Sequence, residues 1–254
     1  MHSIARTLLC VLVAGGGITA PAAAEETRID VRVLARGAKF LPGHGSVPIT
    51  LRDADTGEVL IRGWTEGGTG DTARILNAGA SEPRQMQGDN AAVFSTSLDM
   101  DRPRLVALEV GSPEGASRAG RQISTQWVLP GKHLTNGDGW VVEMPGLVVD
   151  ISTPVAHGFV DRGGEIDLLA GVTLMCGCGF EPGGTWDAGG VEVEAWIYRV
   201  GEKVAVVPLT YAGPSSRFEG VYQPTAAGVH EIEIRAWAPR WNNAGIARTL
   251  VFVR

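Results

Sequence analysis

Cys176 and Cys178 stand one residue apart in Met175-Cys176-Gly177-Cys178-Gly179-Phe180-Glu181-Pro182-Gly183-Gly184-Thr185-Trp186. Two thiols at that spacing support three kinds of chemistry. Thiolates, with the Met175 thioether beside them, select soft ions such as Cu(I) or Zn. Gly177 and Gly179 let the backbone bend so that both sulfurs converge. Structural zinc asks for four ligands and Cys-x-x-Cys pairs. Copper, content with fewer ligands, is therefore the expected ion. Alternatively, an oxidising compartment closes the two into a small strained disulfide, redox-labile and of little use as a staple. The third reading is two small buried apolar side chains with no chemistry. An enzymatic thiol–disulfide reading lacks the Cys-x-x-Cys at a helix start that lowers a thiol's pKa.

Other chemistry is thinly spread. The histidines are His2, His44, His133, His157 and His230. His44 and His157 sit in turn sequences, His230 sits on a strand, and His133 sits on a late loop from which it could complete the cysteine site. Asp99 and Asp101 could hold a hard cation, but Pro103 favours a turn there. Nucleophile elbows, His-Glu-x-x-His, phosphate loops and dinucleotide fingerprints are absent from the sequence. The glycine runs at 67–70 and 183–184 open no helical pattern and so give no phosphate site. These readings predict a non-catalytic protein.

Composition supplies an address. Met1–Arg6, an apolar run from Leu8 to Gly17, then Ala20-Pro21-Ala22-Ala23-Ala24 before Glu25-Glu26 have the layout of a secretory signal over 1–24. The run is too short to span a bilayer, and it continues past Cys10, which argues against a lipidated cysteine. Removing the segment takes Arg6 away and moves the formal charge from −6 to −7. A mildly acidic chain with scattered Lys and Arg offers no basic face to nucleic acid. The expectation is a periplasmic or secreted protein without a membrane span.

Thirty-five glycines and 14 prolines, without long helical patterns, predict short strands joined by turns. Alternation places strands at 27–35, 47–53, 59–64, 91–98, 104–110, 123–129 and 139–144, with a long surface loop over 65–90. Pro145-Gly146 breaks the pattern. The prediction is an all-β chain of two β-sandwich domains, 25–146 and 147–254. In the second, strands fall near 147–153, 164–175, 190–200, 203–211, 216–222, 228–238 and 246–253, the spacing of an immunoglobulin-like sandwich.

Phe218-Glu219-Gly220-Val221-Tyr222-Gln223-Pro224 and the strand from Gly228 to Ala236 resemble filamin-type and related bacterial immunoglobulin-like domains. In those, Tyr-x-Pro ends a strand, a glycine turns the corner and an alternating strand returns. Here Val229, Ile232, Ile234 and Ala236 are expected inward, with a slip near His230. The resemblance implies a fold, not a function. In that topology the cysteine loop and the Trp241 loop share one end of the sandwich, facing the first domain. The expected site therefore gathers Met175, Cys176, Cys178, Trp186 and Trp241, with His133 in reach. Copper delivery or sequestration is the leading functional expectation, with a metal-accepting enzyme or another envelope protein as partner. The alternatives are an interaction or scaffold module of a cell-envelope complex and a thiol–disulfide redox protein.

Overall fold

The structure is a computed structural model that describes residues 23–42, 45–78, 85–114, 120–214 and 216–254. Cys10, His44 and most of the expected signal segment lie outside the described residues. The described chain is built almost wholly of strands. These are β1 (Glu25–Ala35), β2 (Pro48–Asp53), β3 (Val59–Trp64), β4 (Glu66–Thr69), β5 (Ala91–Met100), β6 (Arg104–Val110), β7 (Gln122–Val128) and β8 (Trp140–Met144) in the first half. The second half contributes β9 (Leu147–Thr153), β10 (Gly158–Val160), β11 (Ile166–Leu174), β12 (Glu192–Arg199), β13 (Glu202–Pro208), β14 (Thr210–Tyr211), β15 (Arg217–Tyr222), β16 (Gly228–Ala238) and β17 (Asn243–Val253). One short helix, α1 (Thr72–Leu76), lies between β4 and β5. No described helix is long and apolar enough to cross a membrane.

Each half is a sandwich of two sheets. In the first, β4-β5-β1-β8 faces β3-β2-β6-β7. Period-two burial drives this packing: Ile29, Val31, Val33 and Ala35 of β1 are buried against Ile49, Leu51, Val106, Leu108 and Val110. β1 pairs antiparallel with β5 but parallel with β8, from Val31 beside Trp140 to Ala35 beside Met144.

The stretch 65–90, expected as a bare loop, holds β4 and α1. Glu66-Gly67-Gly68-Thr69 carries no apolar pattern, so its pairing to β5 had no sequence signal. The Asp71 side chain accepts a hydrogen bond from the Arg74 N–H at 2.7 Å and so caps α1. Ile75 then packs into a small cluster with Phe40, Met86 and Ala91.

In the second half, β14-β15-β11-β9 faces β10-β17-β16-β12-β13. This strand order is that of an immunoglobulin-type sandwich, with β9, β11, β15 and β14 as one sheet and β12, β16 and β17 as the core of the other. The inward set of β16 corrects the expected slip. His230 points inward and is buried, whereas Val229 is exposed, so the alternation runs unbroken from His230 through Ile232, Ile234 and Ala236. A histidine can hold that inward place because the ring is satisfied on both sides: Nδ1 lies 3.0 Å from the Tyr222 hydroxyl and Nε2 2.9 Å from the Ala226 carbonyl.

Candidate functional site

β11 delivers the cysteines. Its inward residues Ile166, Leu168, Ala170, Val172 and Leu174 are all buried, which fixes the register of the turn that follows. The Gly177 N–H donates to the Leu174 carbonyl (2.8 Å), and the Leu174 N–H donates to the Cys178 carbonyl (2.9 Å). Gly177 closes the turn at φ +78°, a left-handed conformation that glycine adopts without a Cβ penalty. The chain doubles back, Gly179 bridges to Thr173, and the two cysteines end on the same side of the turn. Their sulfurs are 2.6 Å apart. Cys176 is buried, at 3% exposure, and Cys178 is partly exposed. Met175 is fully buried in the core. Past the turn, Phe180 is held by Ser216: its N–H donates to the Ser216 hydroxyl, which donates in return to the Phe180 carbonyl at 3.0 Å.

The other half of the site comes from the turn after β1. The Ala35 N–H donates to the Lys39 carbonyl (2.8 Å) and Gly37 sits at φ +70°. The Trp186 indole N–H donates to the Gly37 carbonyl at 2.9 Å. A Cβ on Gly37 would overlap the Trp241 ring, so only glycine lets that indole lie against the turn. Trp241 also stacks obliquely on Phe180, with ring centres 6.5 Å apart. Asn243 seals the two-residue connector from beside it. Its Oδ1 accepts from the Gly146 N–H (2.5 Å), and its Nδ2 donates to the Gly146 carbonyl (3.2 Å). Cys176, Cys178, Trp186 and Trp241 are thus gathered at the meeting of the two sandwiches.

The sequence reading did not single out the Gly37–Lys39 turn. Its signal was present in Arg36-Gly37-Ala38-Lys39, a glycine between strand residues, but nothing local tied it to the cysteines. His133 stands elsewhere. Its Nδ1 accepts from the Arg28 N–H at 3.1 Å. Arg28 lies seven residues before the end of β1, about 23 Å at the rise of an extended strand. His157, at φ 64°, stands at the far end of the second sandwich against Phe252. Asp101 pairs with Arg102 at 3.5 Å.

The electrostatics of the thiols follow from this packing. Contact with the Cys178 thiol is the largest influence on Cys176. With the Lys39 N–H and the Lys39 ammonium it outweighs burial and lowers the Cys176 thiol to about 7. The same contact pushes Cys178 up, reinforced by burial and by the charge on Cys176. Cys176 is therefore the first of the two sulfurs to give up its proton.

Among the described residues no three His, Cys, Asp or Glu side chains cluster. Two sulfurs bound tetrahedrally to one ion at about 2.3 Å each would stand about 3.7 Å apart. The pair at 2.6 Å would have to open to hold such an ion.

No family model matches the chain, and no curated protein matches it. Solved structures do. Fibronectin(III)-like modules of CbhA from Clostridium thermocellum match at 13% identity and a TM-score of 0.31, covering 93% of this chain and 92% of that one. The titin domains z1z2, solved in complex with telethonin, match at 13% identity and a TM-score of 0.26, covering 92% and 97%. An engineered protein matches at 16% identity and a TM-score of 0.33 over 50% of this chain, which spans 24% of that protein's length.

Proposed function

We propose that this chain is an exported, non-catalytic interaction module of the cell envelope, made of two sandwich domains (25–146 and 147–254) and docked through the outward face of the β10-β17-β16-β12-β13 sheet. One observation carries the reading, the arrangement around Trp196. Lys203 Nζ stands 3.6 Å and the Arg235 guanidinium 3.5 Å from the ring centre. Arg235 and Arg248 both hold the Glu233 carboxylate, each Nε at 2.5 Å, and Arg235 also donates to the Tyr198 hydroxyl at 2.9 Å. Around this fixed polar centre Val206, Trp237 and Ile246 are exposed on the same face. Tryptophan, tyrosine and arginine held rigid beside exposed apolar residues are the chemistry of binding hot spots. Pre-ordering those side chains lowers the entropy cost of docking.

The test is site-specific photo-crosslinking in the native envelope. A photoreactive residue at Val206 or Ile246 should yield one discrete adduct. The same residue at Asp167 or Glu219, on the outward side of the opposite sheet, should yield none. Equal adducts at all four positions, or none at any, would overturn the reading. Trp196→Ala should weaken the adduct about tenfold or more, in line with hot-spot truncations of ~1.4 kcal/mol and above.

A further inference from the structure

The thiol pair has a chemistry that docking does not use. We propose that Cys176 and Cys178 form a disulfide-donating site in which a partner dithiol attacks Cys178 Sγ and Cys176 departs as the thiolate.

Three features support this direction of transfer. First, the sulfurs are already in contact at 2.6 Å, on a turn whose hydrogen bonds hold them together. Closing the bond needs a small movement of side chains rather than of the chain. Second, access is one-sided. Exchange at a disulfide requires the incoming thiolate to approach one sulfur along the line of the bond and displace the other. Cys176 is buried, whereas Cys178 reaches solvent, so the open line of approach ends on Cys178. Third, the departing sulfur has a receiver. Cys176 Sγ faces the Lys39 N–H and the Lys39 ammonium, which stabilise a thiolate there.

The site is loaded when an external disulfide takes two electrons and two protons from the Cys176–Cys178 dithiol, leaving an intramolecular S–S bond and two external thiols. In donation, a partner thiolate bonds to Cys178 Sγ, the Cys176–Cys178 bond breaks, and its electron pair stays on Cys176. The partner's second thiolate then attacks its own sulfur in the mixed disulfide and releases Cys178 as a thiolate, which takes up a proton. The partner loses two electrons and gains a disulfide, and the Cys176–Cys178 pair returns to the reduced state.

Oxidised glutathione and dithiothreitol serve as the probes, with the full exported chain. Treatment with oxidised glutathione should lower the intact mass by two hydrogens, and dithiothreitol should restore it. With one thiol each, Cys176→Ser and Cys178→Ser should gain a glutathione adduct instead of losing two hydrogens, which places the mass loss in a bond between the two sulfurs. A quench of the wild-type reduction by reduced glutathione reads the direction: peptide mapping should find the mixed disulfide on Cys178. No mass loss on oxidation, a two-hydrogen loss in either single variant, or a mixed disulfide mapped to Cys176 each overturns the proposal.

Discussion

Gly37 is where a single missing Cβ lets two sandwiches touch. Its left-handed φ of +70° and the Trp241 ring against it both exclude a side chain. Gly37→Ala should cost about 2–4 kcal/mol, from strain plus overpacking. Chemical denaturation would read this as a lower midpoint at unchanged slope. A loss under ~0.5 kcal/mol would show that the indole yields freely. Cys176 is the second decisive residue. Its thiol is lowered to about 7, first by the Cys178 thiol and then by Lys39. A thiolate absorbance titration of the reduced protein should therefore show one thiolate forming with a midpoint near pH 7. The step should vanish in Cys176→Ser and move to higher pH in Lys39→Met. The convergence of the two sulfurs was legible from their spacing and from the glycine between them. The sequence could not supply Lys39, because a contact across 137 positions of chain leaves no local pattern.

At the scale of strands, alternation was informative wherever a sheet face was buried. Strands β1, β2, β3, β6 and β9 follow the apolar period to within a residue or two. β4 escaped because glycines carry no period, and α1 because five residues are too few to show one. The outward face of β16 was the harder reading. Glu233 looks like a solvated strand carboxylate in sequence, yet it is 3% exposed, covered by two arginines that pair with it from neighbouring positions. Burial alone would raise its pKa. The hydrogen bonds and charges of Arg235 and Arg248 outweigh burial and hold it below its ordinary value of 4.5. A carboxyl depressed in the folded state stabilises fully above its unfolded value, and that contribution is lost as pH falls through the lowered one. Glu233→Gln should therefore lower stability at neutral pH and flatten the decline below about pH 4.5. Denaturation midpoints measured from pH 3 to pH 7 would check this, and parallel curves for both proteins would refute it.

For the whole molecule, the buried core runs without a break from β1 across the junction to β11 and β16. Ala38, Leu41, Met144, Leu147, Met175 and Phe180 all belong to it. Both sandwiches should thus unfold in one transition. Trp186→Phe keeps the ring but leaves the Gly37 carbonyl without its donor, at about 1 kcal/mol. Calorimetry should then show the single peak broaden or divide, whereas two separate peaks in the wild-type protein would refute the shared core. The parallel pairing of β1 with β8 has a further consequence, in mechanics. Because those strands run the same way, a pull at Glu25 against one at Met144 drags them past each other along their length. The hydrogen bonds between Val31–Ala35 and Trp140–Met144 then bear the load together, in shear, instead of parting one after another like a zip. β10 and β17, also parallel, repeat the arrangement at the far end. Tension applied along the chain therefore meets strands loaded in shear in each sandwich.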